Sequence, residues 1–425
     1  MKNFVEELSW RGLIHDMIPG AEEEMLKGPQ TAYIGFDPTA DSLHVGSLVP
    51  IMLLVHLQKA GHNPVALVGG ATGMIGDPSG KSQERNLLSS DDINKNVKGI
   101  QAQLESFLEF EGVENPAQMV NNYDWFKDIN ILDFLRDVGK HLTINYMMGK
   151  ESVKKRIETG LSFTEFSYQL IQGYDFFHLN KNHDCRFQLG GSDQWGNIVT
   201  GTEFIRRMGG TKSYAITSPL LTKSDGSKFG KSEGGNIWLD PKRTSPYKFF
   251  QFWINQTDED AKKLIRIFTL KSKEEIETLE AEHDKDPGFR ILQKALAEEI
   301  TSRVHSKEEY DKAVDASTIL FGKKTADKLK ELDEQLLLDI MDGVPQFDIP
   351  MSVVESNSDA IMLLAEHSQV VPSKAEARRS LKGNAISINK IKIGEDFKLS
   401  EEHLIQNKYT VVQKGKKNFF LLRFV

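Results

Sequence analysis

Two short, almost unbroken apolar runs, residues 31–36 and 65–68, flank a longer apolar stretch at 48–60 that closes at Gly61. Strands buried on both faces read as continuous apolar runs, and two parallel strands need a crossover, usually helical, to join them. The spacing therefore predicts a βαβ unit and, with it, an α/β fold built on a Rossmann-like parallel sheet. A further strand is expected at 185–189, ending in Gly190 and Gly191, with helical patterns at 91–110 and 162–179. In such a sheet ligands bind outside the carboxyl ends of the strands.

From 246 to about 341 the pattern is helical throughout. After a break between Pro345 and Pro350, a short basic unit follows, with a helix near 374–381 and strands around 386–388 and 419–424. A chain of 425 residues exceeds one ordinary core, and the pattern divides it into a catalytic-type α/β domain at 1–220, a helical domain at 221–345 and a small α+β domain at 350–425. Residues 371–425 hold twelve Lys or Arg against five Asp or Glu, so a tail of +7 follows a body of −15. A basic tail on an acidic body points to a phosphate-backbone partner, although a solvated lysine-rich surface has the same composition.

The longest apolar run, 48–55, contains Pro50 and is far short of the ~20 residues that cross a bilayer. Glu6, Glu7, Arg11 and Asp16 interrupt the amino terminus, so no secretory leader is expected and a cytoplasmic location is. Cys185 is the single cysteine, which excludes an internal disulfide and a cysteine-cluster metal site; it reads as buried strand filling.

Three segments carry chemistry. The first, from Asp37 through Thr39, Asp41, His44 and Gly46 to Ser47, lies between the first strand and the first long helix. Gly46 lets a ligand approach the backbone, and His44 can donate to a phosphate oxygen at a helix amino terminus. The same residues also fit a simple capped helix start with Asp41 or Ser42 as N-cap. The second segment, 224–235, is rich in Gly and Ser and holds Lys228 and Lys231, whose ammonium groups can follow charge onto a leaving pyrophosphate. The third is the helix at Ser162, where Ser162 and Glu165 have capping-box spacing. There Tyr168, Gln172 and Asp175 fall at i, i+4 and i+7 on one face. The sequence Gly80-Lys81-Ser82 ends like a phosphate-binding P-loop, but Ile75 stands where that loop needs its first glycine, so a P-loop ATPase is rejected.

The first two loops resemble the paired histidine–glycine and lysine–serine signatures of class I aminoacyl-tRNA synthetases. Residues 33–39 (YIGFDPT), 71–78 (ATGMIGDP) and 190–197 (GGSDQWGN) resemble the bacterial tyrosyl members, and the likeness runs over essentially the whole chain. It implies that Tyr33 and Asp175 grip the phenol of L-tyrosine while Asp77, Tyr168 and Gln172 hold its ammonium group. It assigns Gly35, Asp37, Thr39, His44, Gly46, Gly191, Asp193, Gln194 and Lys231 to ATP, and His44, Ser47, Lys228, Lys231 and Ser232 to catalysis. Lys81 and Arg85 are candidates for the pyrophosphate. Ser47 departs from the family, which commonly has histidine there.

Residues 373–389 resemble an S4-like RNA-binding module, in which Lys374, Arg378 and Lys382 form a cationic stripe toward tRNA. The resemblance further implies Mg²⁺ with the ATP, no other cofactor or protein-bound metal, and a homodimer. Two rival readings are a tryptophan-specific synthetase, which Tyr33 and Asp175 suit less well than a phenol, and a non-catalytic RNA-binding relic. Intact His44, Asp175, Lys228 and Lys231 argue against the relic.

Overall fold

A computed structural model describes residues 3–79, 88–158, 160–227, 229–232, 235–321, 326–415 and 418–425. The chain divides into two compact units, one comprising 1–244 with 252–304, the other 245–251 with 305–425. These cuts differ from the three-part division read from composition. The stretch at 252–304 clusters with the sheet-bearing body, and 305–345 with the basic tail.

In the first unit, strands β1 (Asp16–Met17), β2 (Thr31–Phe36), β3 (Asn63–Val68), β4 (Gln118–Asn121), β5 (Cys185–Gly191) and β6 (Tyr214–Ser218) form one sheet in the order β1-β6-β5-β2-β3-β4. All neighbours are parallel except β1, which runs antiparallel to β6. Two further short strands, β7 (Lys231–Ser232) and β8 (Gly235–Asn236), form a separate two-stranded antiparallel sheet. From β2 the chain moves outward to β3 and β4, whereas β5 lies on its other side and leads to β6. The β2/β5 boundary is thus the topological switch point, where the connections leaving the two carboxyl ends part and open a crevice.

The expected apolar crossover is helix α1 (Leu48–Lys59), in which eight hydrophobic residues between Leu48 and Leu57 are buried along with His56. Such an all-round apolar helix belongs inside, between sheet and neighbouring helices. Helix α2 (Ser90–Leu104) is capped by Ser89, whose hydroxyl accepts from the Asp92 N–H. It stops short of residue 110, and the Ser106 hydroxyl donates back to the Gln103 carbonyl just beyond its end. Helix α3 (Phe163–Asn182) starts where its sequence signals: the Ser162 hydroxyl accepts from the Glu165 N–H at 3.2 Å. The Glu165 side chain does not close the expected capping box back to Ser162; it pairs with Arg156 at 2.7 Å, both buried. Helix α4 (Trp195–Arg207) packs on α3, and Cys185 is buried in β5. Helices α5 (Asp258–Phe268), α6 (Lys273–Lys285) and α7 (Ile291–Val304) complete the unit.

In the second unit, β9 (Gln346–Ile349), β10 (Ile386–Ile388), β11 (Ile391–Lys392), β12 (Tyr409–Lys414) and β13 (Asn418–Phe424) form a sheet in the order β11-β10-β12-β13-β9. The core of this unit includes Ile349, Leu363, Leu381, Ile386, Val412 and Leu422. Asn389 and Lys390 make the β10–β11 turn with φ of 44° and 69°, a left-handed pair that Asn tolerates well. The Asn389 side chain ties that turn down, donating to the His403 carbonyl and accepting from the Val411 N–H. Helix α8 (Lys374–Lys382) buries Ala377 and Leu381 and exposes Lys374, Arg378 and Lys382 on its other side. Among the described residues no helix is long and apolar enough to cross a membrane.

Candidate active site

A cavity of about 570 Å³ opens at the switch point. It is lined by Tyr33, Gly35, Asp37, Thr39 and Gly46 from β2 and the loop beyond it, by Asp77, by Tyr168, Gln172 and Asp175 from α3, and by Gly191 at the end of β5 with Asp193 and Gln194 just after it. Twelve of the residues singled out from the sequence are thereby brought to one place. The i, i+4, i+7 face of α3 is indeed a face of the cavity.

Asp175 is 1% exposed and accepts two hydrogen bonds, from Asn122 Nδ2 at 3.0 Å and Trp125 Nε1 at 2.9 Å. Burial pushes its pKa up to about 8 against the pull of those two donors, and Asp37 adds to the rise. Asn122 also donates to Thr72 Oγ1, and Thr72 in turn donates to Asp37 Oδ1 at 2.7 Å. The other Asp37 oxygen accepts from the Tyr168 hydroxyl at 2.8 Å. A continuous network thus links Asp175 to Tyr168 across the cavity floor. Asp77 accepts from Gln194 Nε2 at 2.7 Å and from the Ser79 N–H at 2.9 Å, so Gln194, expected on the nucleotide side, bonds to an expected ammonium ligand.

Among the described residues, three side-chain polar atoms of this cavity's lining are buried without a hydrogen-bond partner: Tyr33 Oη, Gln172 Oε1 and Gln188 Oε1. Orphaned polar atoms are uncommon in folded proteins and call for a ligand or water. Burial, and then the nearby Asp175 carboxylate, drive the Tyr33 hydroxyl pKa well above its ordinary value, so that it stays a proton donor.

The loop before α1 differs from the simple cap expected at Asp41 or Ser42. His44 is the N-cap of a short 3₁₀ turn, Val45–Ser47; its Nδ1 accepts from the Gly46 N–H at 3.0 Å, and the Ser47 hydroxyl accepts from the His44 N–H at 3.5 Å. An accepting Nδ1 puts the proton of the neutral ring on Nε2, giving a donor on the opposite edge. A Cβ on Gly46 would lie 2.8 Å from His44 Cε1, so only glycine lets the ring fold back this way. Gly230, at φ +82°, packs its Cα side against Gly46, where a Cβ would come within 3.1 Å of the Gly46 N. The two signature loops therefore meet backbone to backbone.

The second loop is anchored on both sides. Upstream, Ser224 donates twice to Asp260 at the start of α5; Phe229 stacks among Phe252, Trp253 and Phe268. Downstream, the Ile237 carbonyl accepts from the Val45 N–H and the Leu239 N–H donates to the Leu43 carbonyl. Lys228, Lys81 and Arg85 lie outside the described residues, and of Lys231 and Ser232 only the backbone, as β7, is described.

Sequence reading missed Asn122, Trp125, Thr72 and Gln188. Asn122 and Trp125 follow β4, a four-residue strand bounded by Gln118 and Asn121 whose composition carries no strand signal.

A parallel sheet with its ligand cavity at the switch point and these two loops in contact defines a class I aminoacyl-tRNA synthetase. The family described as tRNA synthetases class I (W and Y) matches residues 25–322, and the tyrosine–tRNA ligase SYY-like C-terminal domain matches 337–422. The chain is 61% identical to the tyrosine–tRNA ligase of Flavobacterium johnsoniae and 60% to that of Cytophaga hutchinsonii, covering 100% of both chains in each case. A C-terminally truncated mitochondrial tyrosyl-tRNA synthetase from Aspergillus nidulans superposes with a TM-score of 0.67 at 32% identity, over 74% of this chain and 92% of that one. The chain belongs to the tyrosine–tRNA ligase family, whose members use ATP to join tyrosine to tRNA.

The raised Asp175 pKa has a consequence for stability. An acid whose pKa is raised by folding contributes stability that is fully present below its unfolded value, about 3.9, and is lost as pH rises through its folded value, here about 8. Relative to Asp175→Asn, which has no charge to bury, the unmodified protein is expected to lose stability progressively across that window and to level off above it. Denaturant midpoints of both proteins at pH ~5, ~7 and ~9 measure the difference; parallel profiles would contradict it.

Proposed function

We propose that the cavity binds tyrosine and ATP side by side, with Asp175 and Tyr33 on the phenol, Asp77, Tyr168 and Gln172 on the ammonium group, and Gly35, Asp37, Thr39, Gly46, Gly191, Asp193 and Gln194 around the nucleotide. The observation that carries this reading is the Tyr33 hydroxyl, buried without a partner beside the buried Asp175 carboxylate. A phenol hydroxyl donating to Asp175 and accepting from Tyr33 satisfies both groups at once. Phenylalanine leaves the Tyr33 hydroxyl unpaired and gives Asp175 nothing beyond Asn122 and Trp125, an effect for which tyrosyl-tRNA synthetases themselves are the reference case.

In the first step a tyrosine carboxylate oxygen attacks the α-phosphorus of ATP, brought as its Mg²⁺ complex, and the bond to the bridging oxygen breaks to release pyrophosphate. His44 Nε2–H donates to the phosphates, while Lys228, Lys231 and Ser232, with Lys81 and Arg85, take up charge developing on the leaving group. Ser47 serves through its hydroxyl on the His44 backbone. In the second step a terminal ribose hydroxyl of tRNA attacks the tyrosyl carbonyl and AMP leaves. No covalent enzyme intermediate is involved, so catalysis rests on positioning and charge stabilisation.

Lys231→Ala is expected to slow adenylate formation while tyrosine affinity stays near normal, because its interactions strengthen as the transition state forms. Rapid-quench kinetics beside equilibrium tyrosine binding test this; abolished binding with an intact chemical step would refute the role.

The domain at 350–425 engages tRNA through Lys374, Arg378 and Lys382. Lys374 and Lys382 stand 3.3 Å and 3.8 Å from Glu366 and Glu395, exposed pairs of the kind that contribute little and can exchange for RNA phosphates. The enzyme works in the cytoplasm as a homodimer. Supporting the dimer, Ile131, Leu132, Ile144 and Phe163 of the first unit are 65%, 72%, 65% and 79% exposed. Large apolar side chains gathered in one exposed stretch of sequence fit burial by a second copy. Sedimentation at twice the 48.0 kDa chain mass is expected, and a purely monomeric boundary at micromolar concentration would exclude it.

A further inference from the structure

We propose that His178 is a positioning residue for tyrosine specificity: its imidazole, stacked on Trp125, holds the indole N–H against the Asp175 carboxylate. The inference rests on Asp175 being the phenol acceptor.

The two donors to Asp175 are secured differently. Asn122 is fully buried and locked, its Oδ1 accepting from the Ala71 N–H at 2.7 Å and its Nδ2 shared between Thr72 and Asp175. Trp125 lies on a single-turn helix, Tyr123–Phe126, whose first N–H donates to Asn121 Oδ1, and its half-buried indole packs against the core that includes Tyr33 and Phe176 without a second hydrogen bond to fix its plane. Its hydrogen bond to Asp175 Oδ1 needs the indole plane held in one orientation.

His178 completes that constraint from outside the core. The two rings lie 4.3 Å apart between centroids with planes 14° from parallel, a stacked contact. His178 is three residues beyond Asp175 on α3, so acceptor and prop leave the same helix face one turn apart, and the indole bridges them. Tyr174 and His183 flank the imidazole, each at 6.3 Å, and His183 Nδ1 lies 3.2 Å from Gln118 Oε1. Burial, His183 and Lys181 hold the His178 pKa below the ordinary histidine value, so near neutral pH the stack pairs two uncharged rings.

Without the prop the indole can turn, and Asp175 loses the donor that orients one of its oxygens. Recognition of the phenol hydroxyl then weakens, while burial of the aromatic ring and binding of ATP do not. His178→Ala is expected to raise the tyrosine KM about fivefold, within the net worth of one buried hydrogen bond, and to lower selectivity for tyrosine over phenylalanine by a similar factor. The ATP KM and kcat should stay within about twofold, and His178→Phe, which restores a stacking ring, should recover near-normal values. Pyrophosphate exchange with tyrosine and with phenylalanine, for both variants and for Asp175→Ala, reads all of these. If His178→Ala keeps normal tyrosine KM and selectivity while Asp175→Ala loses them, the prop is refuted and the phenol assignment stands. If Asp175→Ala is also unchanged, the phenol assignment fails and the prop with it. If His178→Phe is as impaired as His178→Ala, stacking is not what the residue provides and the proposal is overturned.

Discussion

Replacing Asp175 by alanine is expected to lower kcat/KM for tyrosine at least tenfold while the KM for ATP stays near its normal value. The carboxyl group is 1% exposed, so little water reaches it to substitute for the bond proposed to the phenol. With its pKa raised to about 8, Asp175 is largely protonated near neutral pH, so the bond itself is worth about 0.5–1.5 kcal/mol and stranding its buried partners costs about 1–3 kcal/mol more, while tenfold in rate corresponds to about 1.4 kcal/mol. The true loss should exceed that floor, because Asn122 and Trp125 both donate to Asp175 and would face an empty space in the variant. ATP is spared because the residues proposed to hold it enter from β2 and from the turn after β5, not from α3. Initial rates of pyrophosphate exchange over a grid of tyrosine and ATP concentrations decide the matter. A folded variant with unchanged tyrosine kcat/KM would remove Asp175 from the site.

The second large effect concerns the basic tail. All cavity-lining residues fall between Tyr33 and Phe229, so a chain ending ahead of the C-terminal domain should still form tyrosyl-adenylate, whereas charging of tRNA should collapse. A cut before Gln346 is preferable to one at Pro350, because β9 pairs in parallel with β13 and would be left an unpaired edge, although residues 305–345 then lose the remainder of their own unit. In the full-length protein, changing Lys374, Arg378 and Lys382 together to alanine should weaken tRNA binding and flatten its salt dependence by about one unit of slope for each RNA phosphate that is no longer neutralised. Affinity measured at several salt concentrations separates this from a merely solvated helix face, for which slope and affinity would both match the unaltered protein.

What could be read in the sequence and what could not divide along physical lines. The βαβ unit was legible because burial on both faces leaves β2, β3 and α1 almost wholly apolar, and Ser162 announced α3 because a helix start needs a side-chain acceptor. Helical periodicity put Tyr168, Gln172 and Asp175 on one face, but a partly polar surface has the same spacing, and only the family resemblance marked that face as a site. The remaining features depend on the meeting of segments distant in sequence. That β5 lies beside β2, making the switch point, is a matter of topology. Gly46 and Gly230 bring together two loops more than 180 residues apart, and no local pattern could signal it. Asn122 and Trp125 were invisible because they follow a strand too short and polar to register; their part is clear only once Asp175 is seen between them. The Asp41 or Ser42 cap was a sound local expectation, displaced because the His44 imidazole itself accepts from the turn.

The central claim is that a buried carboxylate and a buried phenol, Asp175 and Tyr33, select tyrosine by its hydroxyl. Pyrophosphate exchange measured with each of the twenty amino acids tests it most directly. Exchange should be strong with tyrosine and close to background with phenylalanine, which differs only in lacking the group these residues pair with. Phenylalanine exchanging as well as tyrosine, or tryptophan exchanging better than either, would contradict the account.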